Sequence, residues 1–159
     1  MDVLKTLAMT AGLIAAAPAA AHVSVQPKTA PAGAYQVLRF GIGHGCEGKA
    51  TTRLTVHIPP AVPTARPQPK PGWRLDIGRA PGQPGRVTAV TWTGRLPADQ
   101  FDEFVMLVRL PASGSALEFP ADQACGPTVV PWAGADPAHP APRLELAPGP
   151  APDARHDHH

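Results

Sequence analysis

Proline is the residue that most limits what this chain can become. The sequence of 159 residues carries 22 prolines and 15 glycines, and the prolines recur at intervals too short for a helix of several turns. Each removes an amide donor and clashes with the carbonyl four residues earlier, so a helix stops at or before it. Between the prolines lie short runs in which valine, threonine, leucine and isoleucine alternate with polar residues. That two-residue period is the mark of a half-buried strand. The pattern predicts an all-β fold, a sandwich or barrel with Pro-rich loops.

Taken in order, residues 1–21 have Lys5 near the start, an apolar run from Leu7 to Ala17 and a small-residue ending, Ala19-Ala20-Ala21. This is the pattern of a cleaved export signal, and the run is short for a bilayer span. No other segment is apolar and long enough to cross a membrane. Residues 22–27 read as an edge strand ending at Pro27, 30–33 as a turn, and 35–42 and 51–58 as strands. Between the last two lies a glycine-rich loop, residues 43–48. The proline-crowded stretch 59–71 reads as an extended connection without a strand. Residues 72–77 and 87–92 read as strands joined by a turn at 80–85. Residues 101–110 form the longest apolar run after the signal and predict a central strand, buried on both faces over its second half. Residues 116–119, 128–132 and 144–146 read as the last strands. This gives seven to nine strands in one domain, residues 22–147, followed by a tail, 148–159, expected to be disordered and containing His156, His158 and His159.

The formal net charge is only +2, and the basic residues are scattered, so a nucleic-acid partner is not expected. Signatures of hydrolases and nucleotide-binding enzymes are absent: no Gly-x-Ser-x-Gly, no His-Glu-x-x-His, no phosphate-binding loop. The two cysteines, Cys46 and Cys125, lie in a chain that reads as exported, and an oxidising compartment predicts a disulfide between them. A soft metal site is the rival reading, without Cys-x-x-Cys spacing to support it.

Cleavage after Ala21 would make His22 the first residue, with a free α-amine and an imidazole on one side chain and backbone. Those two nitrogens close a chelate ring on a metal. An internal histidine cannot do this at neutral pH, because its backbone amide keeps its proton. Cu(II) stands at the top of the affinity series of divalent metals and favours tetragonal N/O ligation. Amines titrate near pH 8 and imidazoles near 6.5 in the absence of perturbation, so such a site is expected to weaken as pH falls through 6.

Several segments, in order, resemble a known family. They are Ala21-His22-Val23 after a signal, His44-Gly45-Cys46, Ile58-Pro59, Pro69-Lys70-Pro71-Gly72-Trp73 and Val90-Thr91-Trp92-Thr93-Gly94. Phe101-Asp102-Glu103-Phe104 and Gln123-x-Cys125 followed by Trp132 complete the set. Together they are similar to the YcnI-like domain family of exported bacterial copper-binding proteins, from His22 to about Leu146. The resemblance implies a β-sandwich of immunoglobulin or fibronectin type III kind. It also implies one Cu(II) held by an N-terminal brace with a single histidine, a carboxylate, and a tryptophan beside the metal. Carried to this chain, these are His22, Glu103 and Trp132, with Asp102 the second choice of carboxylate and His44 a second-choice ligand. Glu103 shares a strand face with Phe101, Asp102 with Phe104, and the acid on the face of His22 is the expected ligand. Gly126 stands where related chains often have an acidic residue. The family's setting implies a membrane copper transporter or a periplasmic copper chaperone as partner, and a periplasmic or secreted location.

Each of these residues also has a plainer reading. His22 can be an ordinary N-terminal histidine, Asp102 and Glu103 a surface pair, and Trp132 a core residue, as Trp73 and Trp92 are expected to be. His44 in its loop reads as exposed and His57 on an outer strand face as solvated; His139 lies in a Pro-rich loop with no readable partner spacing, and the histidine tail reads as an adventitious metal collector. A histidine-brace oxidative enzyme is the second functional reading; it lacks a clear second histidine and a flat aromatic substrate face. A third is an extracellular interaction module without metal. The leading expectation is a copper-binding protein that is not an enzyme.

Overall fold

A computed structural model of the chain describes residues 22–149; the expected signal and residues 150–159, with the tail histidines, lie outside the described residues. The described chain is all strand and loop. In order the strands are β1 Ser24–Gln26, β2 Thr29–Pro31, β3 Tyr35–Ile42, β4 Thr51–His57, β5 Thr64–Pro67, β6 Arg74–Ala80, β7 Gln83–Leu96, β8 Asp102–Arg109, β9 Ala116–Glu118, β10 Ala121–Cys125, β11 Thr128–Trp132 and β12 Arg143–Ala147. They form a four-stranded sheet in the order β1-β3-β8-β5, a five-stranded sheet in the order β11-β10-β4-β7-β6, and a small sheet β2-β12-β9. All pairings are antiparallel except that of β12 with β2.

Alternation along the strands builds the core between the two large sheets. Leu38, Phe40 and Ile42 of β3 face Leu54 and Val56 of β4 and Val90 and Trp92 of β7 across it, all essentially buried. Large apolar side chains enclosed in this way stabilise the fold by about 1.5–3 kcal/mol each. Aromatic edges knit the layers: Trp92 lies 5.5 Å from Phe104 of β8, Trp73 meets Phe104 edge-on at 4.9 Å, and Phe40 meets Phe119 at 5.6 Å. Trp73 is half-buried and lies flat on Gly94, where a side chain would collide with its ring. On the outer face of the five-stranded sheet, the Thr55 and Thr91 hydroxyls hydrogen-bond at 3.0 Å.

Cys46 and Cys125 form the expected disulfide, tying the loop after β3 to the end of β10 with Cα atoms 5.8 Å apart. Three strands were not read from the sequence. β5 lies inside the proline-crowded connection, pairing with β8 along one edge only, which leaves its one proline, Pro67, where no ladder donor is needed. β2 replaces an expected turn, and β10 runs through the polar pair Asp122 and Gln123. Strand β8 departs from its expected double burial. Phe104, Met106 and Val108 are enclosed while Val105 and Leu107 are half-exposed, because the four-stranded sheet is covered by its partner on one face only.

Candidate metal centre

β1, β3 and β8 run side by side, and their register brings the candidate residues together. Ser24 pairs with Gly41, and Gly41 pairs with Glu103, so the three lie in one row across the sheet. His22, two residues before Ser24, is adjacent, and Glu103 is on the outer face opposite Phe104. These residues open a recess of about 420 Å³ whose wall is His22, Ser24, His44, Phe101 and Glu103. Gly41, Ile42 and Gly43 complete its lining, and the backbone lies bare at the two glycines. Phe101 is 77% exposed at the rim. The Glu103 carboxylate stands 3.8 Å from the Arg39 guanidinium, and both side chains are half-exposed.

Trp132 stands beside His22, the ring centroids 5.7 Å apart and the planes tilted by 48°. Trp132 is 4% exposed, and its Nε1 donates to the Gln123 side-chain oxygen at 3.2 Å. Gln123 is buried and spends its amide nitrogen twice, donating to Thr51 Oγ1 at 2.8 Å and to the His44 carbonyl at 3.0 Å. One amide thus fixes both the indole and the loop that carries His44. The His44 ring nitrogen Nδ1 lies 2.7 Å from the Gly45 carbonyl.

Trp132 also touches His139, edge to face at 4.9 Å. His139 is held by its own loop: Nδ1 lies 3.0 Å from the Asp136 carboxylate, whose other oxygen accepts the Ala138 amide at 2.9 Å. The Ala138 amide first, and His139 second, hold the Asp136 carboxyl below the usual carboxylate range. His139 faces a second cleft with His44, Gln123 and Val129, and is absent from the lining of the His22 recess.

Asp102 is engaged elsewhere. It accepts the Lys70 ammonium at 2.7 Å and the Glu103 amide at 2.8 Å, and it does not line the recess. His57 lies at the outer end of β4 and reaches Asp122 at 2.8 Å. The structure therefore gathers His22, His44 and Glu103 in one recess with Trp132 at its side, and leaves out Asp102. Among the described residues no three His, Cys, Asp or Glu side chains stand close enough together to hold a metal ion unaided. A cation here would need a further donor, and a backbone α-amine at His22 is the kind that side-chain clusters do not count. Ser24, Gly41, Gln123 and His139 were not read as part of the site from the sequence. The Asp136-Pro-Ala-His139 spacing was the one local signal for the last of them.

The fold is immunoglobulin-like. A solved structure described as an uncharacterized protein from Nocardia farcinica with an immunoglobulin-like fold superposes with a TM-score of 0.66 at 36% identity, covering 79% of this chain and 98% of that one. A family model described as a domain of unknown function, DUF1775, matches residues 22–146. The chain belongs to this family, the YcnI-like domains. Among curated proteins, "Copper-binding protein CutI" of Bacillus subtilis (strain 168) is 26% identical over 107 residues, spanning 67% of this chain. The match spans about half of that relative, 52% of its length.

Proposed function

We propose that the chain is an exported copper-binding protein. Its signal is removed after Ala21, and His22 then grips Cu(II) through its α-amine and imidazole. Glu103 supplies an oxygen and a negative charge from across the recess, and Trp132 shields the imidazole side. The protein holds copper or hands it on, and does not turn over a substrate. The observation that carries this is the row Ser24–Gly41–Glu103, which sets the candidate carboxylate beside the candidate brace residue over a glycine. A relative named as copper-binding and the opening of the family match at His22 support it. The disulfide is consistent with a periplasmic or secreted location. A membrane copper transporter or a periplasmic copper chaperone is the proposed partner.

The donor set suits Cu(II): two nitrogens from one residue and one carboxylate oxygen, with the recess open for solvent or a receiving ligand. The test compares Cu(II) affinity, by competition titration and electron paramagnetic resonance, for protein that begins at His22 and protein with one added residue before it. Blocking the amine is expected to weaken binding at least tenfold, about 1.4 kcal/mol. Equal affinity in the two forms would remove the brace. Incubation with ascorbate and polysaccharide is expected to yield no cleavage, which separates a carrier from an oxidative enzyme.

A further inference from the structure

Gly41 sits in the middle of the row that joins Ser24 to Glu103. A Cβ built on it would stand 3.1 Å from Ser24 Oγ. The Ser24 hydroxyl therefore leans over the bare backbone of β3, into the space a side chain would fill, and toward the strand that carries Glu103. On the other side Glu103 faces Arg39, which lies on the same outer face of β3 two residues before Gly41. The two approach only to 3.8 Å, with both side chains half-exposed, and so weak a pair does not fix a carboxylate.

We propose that Ser24 and Gly41 are a positioning pair for the carboxylate of the metal recess. Gly41 keeps the row open. The Ser24 hydroxyl donates into it, directly or across one water, and turns Glu103 toward His22 against the pull of Arg39. This deepens the proposed copper function and rests on it. It differs in naming residues that bind no metal themselves yet decide where the oxygen donor points. A hydroxyl donor suits the task, because it stabilises a carboxylate without adding a second positive charge beside a cation.

The test uses protein beginning at His22 in six forms: parent, Ser24→Ala, Ser24→Thr, Gly41→Ala, the Ser24→Ala/Gly41→Ala double variant and Glu103→Gln. Cu(II) affinity by competition, the electron paramagnetic resonance spectrum and the melting temperature without metal are read for each. Ser24→Ala and Gly41→Ala are each expected to weaken Cu(II) three- to tenfold, the first by deleting the hydroxyl and the second by displacing it. Their spectra should move toward that of Glu103→Gln, and Ser24→Thr should keep parental affinity. Because both changes act through one hydroxyl, the double variant should lose no more than the worse single. Parental affinity in both single variants, or losses that multiply in the double, would overturn the pairing. If Gly41→Ala lowers the metal-free melting temperature, Ser24→Ala against Ser24→Thr decides alone. A parent that does not bind copper, or a Glu103→Gln variant that binds like the parent, sinks the underlying site instead.

Discussion

At the scale of single residues the proposed site is a competition for one carboxylate. Arg39 and Glu103 form an exposed pair at 3.8 Å, of the kind that contributes between nothing and about 1 kcal/mol. Arg39 nonetheless places a positive charge where a cation is proposed to bind. Removing it in Arg39→Gln is expected to tighten Cu(II) about two- to fivefold in a competition titration. The gain should shrink as salt is raised from low to physiological strength, because exposed charges are screened. An unchanged or weakened affinity would mean that the guanidinium supports the carboxylate instead. The candidate ligands were named from the sequence through a histidine after an expected signal and, for the carboxylate and the tryptophan, through the family resemblance. The choice of Glu103 over Asp102 came from the same resemblance; two-residue alternation put the two acids on opposite faces without saying which faces His22. Ser24 and Gly41 were not legible, because their meaning lies in the register between three strands. Nothing in Gly41 taken alone says which residue faces its missing side chain.

At the scale of elements, β10 carries more than its composition suggests. Its Ala121-Asp-Gln-Ala-Cys125 sequence has little strand propensity and was not read as a strand. It pairs on both sides, with β4 and with β11, and neighbouring strands supply the order that its own residues do not. Gln123, at its centre, is the buried polar hub for Trp132, Thr51 and the His44 loop. A buried polar group stripped of its partner costs about 1–3 kcal/mol. Gln123→Leu orphans the indole donor and the Thr51 and His44 acceptors. It should destabilise the metal-free protein by about 2–4 kcal/mol in urea denaturation and shift Trp132 fluorescence. A variant as stable as the parent would show that water replaces the amide. By contrast β3 and β4 were legible because they alternate without interruption. β5 was hidden by Pro67 and the prolines that flank it, which are read as breakers unless the pairing shows that only one edge is bonded.

For the whole molecule, the disulfide fastens the site loop to the five-stranded sheet. Cys46 and Cys125 are 79 positions apart in sequence, and closing a loop of that length restricts the unfolded chain by about 4 kcal/mol on the chain-entropy model. Cys46→Ser/Cys125→Ser is therefore expected to lower the melting temperature by about 10 °C or more. Copper affinity at low temperature should survive in the fraction that stays folded, since neither sulfur lines the recess. Reduction of the parent should reproduce the shift, and a double variant that melts with the parent would count against a stabilising bond.

The path of β12 carries the end of the described chain away from the recess. It begins with Arg143 near His22 and runs parallel to β2, so that Gly149 ends against the Ala32 carbonyl, by the far ends of β3 and β8. At about 3.4 Å per residue, the length of β3 separates that point from the recess by about 25 Å. A support or fusion partner coupled beyond Gly149 would thus hold the domain by the end remote from the recess, and would leave the proposed copper site open to solution.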